Sequence, residues 1–411
     1  MSQIDFDALL RLLSFTPGEP MLFNSGLFLV LFLLFSAGYA LLSAQRAKAV
    51  RLLYVTAFSY YFYYKNAGAW CCLLAVITLV NYFCALRLDH TERPAARKAW
   101  LWLAVGFMLG QLAVFKYTDF AIGTWCDLTG EPRPDTPALP VLVGISFFTF
   151  QSMSYIIDVY RRQMPATRSL TDFAFFVSFF PTLLAGPILR ARTFLPQLQK
   201  PLCVTQQMLG TGTWFIIIGL FKKCVISDYI SVNFVSRIFD NPALYSGLEN
   251  LLGIYGYALQ LYCDFSGYSD MAIGIALWMG FEIPANFRAP YKSDSITDFW
   301  RRWHISLSSW LRDYLYISLG GNRKGRLRMY FNLFLTMLLG GLWHGASWNF
   351  VIWGSVHGFA LGVHKRFREL LGDEAMARVL GLADNAEGTA DSLMERFEAG
   401  NISTEDFLST L

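Results

Sequence analysis

The sequence predicts an all-α, polytopic helical membrane protein with about nine to eleven spanning or re-entrant helices. Composition is the first reason: 16% of the 411 residues are charged and 55% are hydrophobic, against roughly 25% charge in soluble domains. The second is a set of stretches without a formal charge, at 20–45, 66–86, 99–115, 136–157, 173–189, 201–221 and 329–364. Most of them reach or approach the roughly 20 apolar residues that cross a hydrocarbon core. The third is that Lys and Arg gather in alternate connections, as they do in cytoplasmic loops.

In chain order, stretch 20–45 follows acidic residues and is too long for the apolar core of a signal peptide, so it is a retained span. Arg46, Lys48 and Arg51 come after it. Arg87, Arg93, Arg97 and Lys98 come after 66–86, and Arg161, Arg162 and Arg168 after 136–157. The connection 119–140 instead holds Asp119, Asp127, Glu131 and Asp135 with one arginine. These biases place the N-terminus and 119–140 outside and the loops near 46, 93 and 165 in the cytoplasm. The aromatic segment 52–64 then has to cross as a short span, tilted or in a thinned bilayer.

Beyond residue 170 the pattern becomes irregular. "FFPTLLAGPILR" (179–190) sets Pro181 and a Gly-Pro pair inside apolar sequence, which argues against a straight span. "QLYCDFSGYSDMAIG" (260–274) is interrupted by Asp264 and Asp270. Irregular backbone at membrane depth is tolerated where it packs in protein or lines a cavity, so both stretches are expected to form a cavity wall. From residue 366 onward ten acids face four bases, a net of −6, which leaves +10 on residues 1–365. Two domains are therefore expected: a membrane-embedded domain, 1–365, and an acidic, soluble helical tail, 366–411, with breaks near Gly372, Gly381 and Gly400.

The seven cysteines lie mostly in apolar segments without metal-ligand spacing, so neither a disulfide framework nor a metal site is expected. No GxGxxG, P-loop or G-x-S-x-G occurs, and no feature points to nucleic acid. Chemistry concentrates in three places. "GGLWHGASWNF" (340–350) sets His344 between two tryptophans and small residues. A helix starting near Arg328 puts it about 24 Å along, towards the outer half of the membrane. An ionisable group at that depth marks a pathway or site by default, and a neutral imidazole is suited to take a proton from a hydroxyl. A packed structural histidine is the alternative. "SITDFWRRWHISLSSWLRDYLYISLGGNRKGRLRMY" (295–330) mixes arginines with aromatics. It is either an interfacial anchor or, with basic groups at a cavity mouth, a site for phosphates. His304 within it reads as structural by itself, and His357 and His364, seven apart on one helical face, as structural or interfacial. In "YCDFSGYSD" (262–270) the serines read as structural, and Asp264 and Asp270 either brace a helix break or orient an imidazole.

"QLYCDFSGYSDMAIGIALWMGFEIPANFRAPY", "SITDFWRRWHISLSSWLRDYLYISLGGNR", "GGLWHGASWNFVIWGSVHG" and "SFFPTLLAGPILR" together resemble the membrane-bound O-acyltransferase family, most of all its bacterial alginate O-acetyltransferase branch. The teichoic acid D-alanyl transfer proteins resemble it more distantly. The resemblance runs over roughly residues 50–365 and implies helices around a central funnel or tunnel. It also implies transfer of an acyl group from a cytoplasmic donor such as acetyl-CoA to a hydroxyl on the far side. The family's catalytic histidine falls on His344 and its second polar residue on His304. Arg301, Arg302, Trp303, Arg323, Asp264 and Trp348 form the expected substrate-binding set. The resemblance further implies no tightly bound cofactor, a bacterial inner-membrane location, a polysaccharide acceptor and an extracytoplasmic acetyl-transfer partner protein. Family members usually continue with further spans after the region of His357, whereas this chain turns acidic and soluble at Arg366. Rival readings are a transporter or channel relaying protons through Asp264, Asp270 and His344, a scaffold acting through the tail, and acylation of a lipid, teichoic acid or protein.

Overall fold

The structure is a computed structural model and describes residues 6–44, 48–135, 139–140 and 142–379. Its regular elements are all helical. A short α1 (Phe6–Leu13) precedes α2 (Gly26–Ala44), α3 (Lys48–Ala67), α4 (Cys71–His90), α5 (Pro94–Leu112) and α6 (Thr118–Thr129). Segments Gly26–Ser43, Lys48–His90 and Pro94–Thr129 are long and apolar enough to cross a membrane. The second turns back at Gly68, whose φ of +59° suits glycine. The third passes from α5 into α6 through a π-helical turn, Ala113–Tyr117. The short span expected over 52–64 is in fact the 20-residue helix α3, about 30 Å long. Its length comes from burying charges at its ends. Arg51 and Lys65 are both buried, and the Lys65 ammonium donates to the Leu12 carbonyl at 3.0 Å.

Arg97, 6% exposed, ties this part together. Its guanidinium donates to the Leu88 carbonyl at 2.6 Å and the Tyr160 carbonyl at 2.8 Å. Those are the ends of α4 and of α7 (Ile145–Tyr160), where the last carbonyls of a helix have no partner of their own.

The window 179–190 is broken, as expected. Helix α8 (Leu170–Ser178) stops at Phe179, α9 (Phe180–Leu183) is a single turn, and an extended stretch leads to α10 (Ala191–Gln199). The break is buried in protein. The Phe180 ring, 0% exposed, lies within 6.5 Å of Phe23, Phe28, Phe32, Phe35, Phe58 and Phe62. Its amide donates to Ser59 at 3.2 Å.

Next come α11 (Gln206–Leu220), two π-helical turns, α12 (Ser236–Asp240) and α13 (Gly247–Trp278). The irregular backbone expected at 260–274 is not there: α13 is one uninterrupted helix of 32 residues. Its aspartates do not break it because the π-helical turn after α11, Phe221–Asp228, supplies cations. Lys222 pairs with Asp270 at 2.6 Å, and Lys223 with Asp264 at 2.6 Å and Asp228 at 2.7 Å. Glycines let the two helices touch: a Cβ on Gly219 would lie 2.6 Å from the Gly267 carbonyl oxygen.

The chain then folds through α14 (Ile296–Arg302), α15 (Ile305–Trp310) and a π-helical turn, Leu311–Tyr316, before α16 (Arg326–His344) and α17 (Trp348–Val379). These last two form an antiparallel hairpin in which Gly341 meets Gly354. Helix α17 runs straight past residue 366 and kinks at Gly372 (φ 75°). Residues 380–411, with Gly381 and Gly400 of the expected tail, lie outside the described residues. A Cβ on Gly354 would stand 2.6 Å from the Met337 carbonyl oxygen. Gly354→Val is therefore expected to destabilise the hairpin by about 1–3 kcal/mol, read as a lower unfolding temperature of the detergent-solubilised protein; an unchanged temperature contradicts this packing.

Candidate active site

His344 is the last residue of α16, not a mid-helix residue. The chain becomes extended at Gly345 (φ −163°, ψ 151°) and restarts as α17 three residues on. That exposes the final carbonyls of α16, and both receive donors from the π-helical turn Ala113–Tyr117. The Tyr117 hydroxyl donates to the Leu342 carbonyl at 2.7 Å. The Lys116 ammonium donates to the Trp343 carbonyl and to Ser146 Oγ at 3.2 Å. The half-buried His344 imidazole meets the rings of Trp343 and Trp353 edge-on, at 5.1 and 5.2 Å.

His304 sits between α14 and α15 with φ 44°, a left-handed backbone that costs a non-glycine residue roughly 1–2 kcal/mol. Asn286, itself 1% exposed, holds it there. The Asn286 carbonyl accepts from the Ile305 amide at 2.9 Å, and its Oδ1 accepts from the Ser306 hydroxyl at 2.9 Å. Its Nδ2 donates to Ser269 Oγ at 3.2 Å. The His304 ring is 0% exposed, wedged against Phe265 at 4.6 Å and Trp343 at 5.8 Å. Neither of its nitrogens has a hydrogen-bond partner among the described residues, and burying such a group unpaired is costly. Its centroid lies 6.2 Å from that of His344. Residues 40 positions apart in sequence thus share one site.

A cavity of about 730 Å³ runs from His344 along the α16–α17 hairpin, within the usual size of small-molecule sites. Buried Gly340 and half-buried His344 are part of its lining. Leu307, Leu311, Met337, Trp353 and Leu361 make much of the lining apolar, and its more exposed part carries Arg301, Arg312, Lys365 and Arg368 with one acid, Glu369. The turn that carries Arg312 is anchored from beneath. The Tyr314 hydroxyl donates to the fully buried Asp158 at 2.7 Å, and the Tyr314 ring lies between the guanidiniums of Arg161 and Arg190, at 5.4 and 4.4 Å.

Of the residues singled out from sequence, the fold brings His344 and Arg301 to the cavity and His304 beside it. Arg302 is paired with Asp298 at 2.6 Å. Trp303 is buried in an aromatic cluster, stacked on Phe299 at 5.6 Å. Arg323 is exposed and outside the lining. Asp264 belongs to the Lys223 ion pair, and Trp348 is 56% exposed, with an edge contact to Phe120 at 5.8 Å. Four cavity or cap residues were not picked out: Lys116, Asn286, Lys365 and Arg368. The stripe Leu361, His364, Lys365, Arg368 at helical spacing would have shown the last two, had the sequence not been divided at 366. No group of three or more His, Cys, Asp or Glu able to hold a metal occurs among the described residues.

A model of the membrane-bound O-acyltransferase family matches residues 129–378. The chain is 47% identical over 354 residues to the probable alginate O-acetylase AlgI of Pseudomonas putida, covering 84% of this chain and 71% of that protein. It is 38% identical over 376 residues to the peptidoglycan O-acetyltransferase of Helicobacter pylori, with 84% and 71% covered. To the teichoic acid D-alanyltransferase of Bacillus subtilis it is 34% identical over 259 residues, with 58% and 63% covered. Both histidines, the basic cavity mouth and the hairpin between them lie inside the matched region, and the chain belongs to the membrane-bound O-acyltransferase family: it is a helical membrane O-acyltransferase.

Proposed function

We propose that the protein transfers an acetyl or similar small acyl group from a cytoplasmic acyl-CoA to hydroxyls of an exported or cell-envelope polysaccharide. The observation that carries this reading is the cavity that joins a basic, exposed end to His344. Phosphates of the donor would meet Arg301, Arg312, Lys365 and Arg368, since guanidinium groups favour phosphate oxygens. The thin acyl-bearing arm would lie along the apolar middle, bringing its thioester to His344. The names of the relatives, which act on alginate, peptidoglycan and teichoic acid, support an envelope polymer as acceptor. We place the enzyme in a bacterial inner membrane, with an extracytoplasmic protein passing the acyl group on to the polymer.

In this reaction His344 takes the proton of the acceptor hydroxyl as its oxygen bonds to the thioester carbonyl carbon. The tetrahedral intermediate then expels the thiolate, the C–S bond breaks, and the imidazolium returns the proton to sulfur. A thioester is already activated, so positioning and base catalysis supply most of the acceleration. His304, whose ring centroid lies 6.2 Å from that of His344 and whose two nitrogens are unpartnered among the described residues, orients the donor carbonyl or the acceptor.

Membranes given radiolabelled acetyl-CoA are expected to label a polysaccharide fraction, and His344→Ala to lower that labelling by about 10²–10⁴-fold with protein abundance unchanged. Labelling of lipid alone, or full labelling by the variant, would overturn the assignment. The double variant Arg312→Ala/Lys365→Ala is expected to raise KM for acetyl-CoA by about tenfold or more, from lost charge-assisted hydrogen bonds, while kcat changes little. An unchanged KM would remove the donor phosphates from this mouth.

A further inference from the structure

We infer that Lys116 is a positioning residue for acyl transfer, acting with Tyr117 to hold His344 in the wall of the cavity. The inference rests on the reading of His344 as the reacting base. A lysine inside an apolar span is costly, and this chain offsets that cost with carboxylates at Lys222 and Lys223 and with a backbone carbonyl at Lys65, near an end of α3. Lys222 and Lys223 each face an aspartate at 2.6 Å. Lys116 has no carboxylate in ion-pair range among the described residues; its polar partners there are the Trp343 carbonyl and Ser146 Oγ. The charge is thus directed at the carbonyl end of a helix, where the macrodipole is negative, and that end carries the histidine.

The local backbone explains how two neighbouring residues do this together. In a regular helix successive side chains point about 100° apart. The π-helical turn at Ala113–Tyr117 widens the coil, so Lys116 and Tyr117 reach the successive carbonyls of Trp343 and Leu342. The ammonium also lies 5.7 Å from the centroid of the Trp343 ring. That ring packs against both His304 at 5.8 Å and His344 at 5.1 Å, so one cation fixes the backbone under the base and the indole that braces both imidazoles. Nothing in this arrangement reaches the basic mouth of the cavity.

The test is steady-state kinetics with acetyl-CoA in proteoliposomes, normalised to monodisperse protein. Lys116→Met is expected to lower kcat by about 10–100-fold, the effect of a base displaced by about an ångström, with KM for acetyl-CoA within about twofold of wild type. Lys116→Arg, which keeps a cationic donor, is expected to recover about tenfold of that loss, and Tyr117→Phe to cost about threefold or more in kcat. A Lys116→Met enzyme with kcat within twofold of wild type overturns the inference. So does a loss carried mainly by KM, or a Lys116→Arg enzyme no better than Lys116→Met. If Lys116→Met does not accumulate, Tyr117→Phe decides, since it removes one hydroxyl: a normal kcat refutes the cap. His344→Ala separates the two levels. Activity in His344→Ala sinks the reading of the site itself, whereas an inactive His344→Ala beside a fully active Lys116→Met sinks only the role of Lys116.

Discussion

Within a bilayer the backbone groups at a helix end have no water to turn to, so each helix break has to be met by donors and acceptors from the protein. Two helix breaks of this chain carry the histidines of the candidate site, and these breaks, like others in the fold, are met by partners. Lys116 and Tyr117 serve the end of α16. Asn286 and Ser306 hold the left-handed turn at His304. Ser59 receives the Phe180 amide, and Gln151 donates to the Phe176 carbonyl. Arg97 closes α4 and α7 together. Removing any one partner leaves a buried polar group alone, which costs more than the hydrogen bond itself contributes.

That constraint shapes the site. An uninterrupted helix through His344 would carry the chain onward along the same axis. Stopping at Gly345 instead turns the chain back as α17, so the apolar middle and the basic mouth are both built on one hairpin. His304 reaches the same point from another break, on a backbone strained by its own φ. Strain of this kind persists only where surrounding contacts over-determine it, and the Asn286 network and the Phe265 and Trp343 rings do so here.

The aspartates of α13 mark the limit of reasoning from local sequence. Charges within apolar sequence look like breaks because an unpaired carboxylate at that depth is expensive. Whether it is unpaired depends on the neighbouring helix, and Lys222 and Lys223 arrive from 41 to 48 residues away. The same distance argument explains why 52–64 looked too short to cross. Arg51 and Lys65 bound the apolar run in sequence, but the fold buries both and the helix extends through them. By contrast, the Pro181 and Gly-Pro signals at 179–190 are backbone effects that do not wait on partners, and the break appears where they stand.

By itself the sequence determined the helical membrane class, the spans before residue 130, the break after Ser178 and the region that holds both histidines. Those features rest on composition, on proline and glycine backbone limits and on contiguous residue blocks, all of which are local. Only the tertiary structure decided which polar groups meet. It set Lys116 under the backbone of Trp343, 227 residues on. It also placed Lys365 and Arg368 in the lining of the cavity that His344 shares, and paired the α13 aspartates with lysines instead of the histidines. The physical reason is that the cost of a buried polar group is set by its partner, and a partner on another helix leaves no trace in the residues around it.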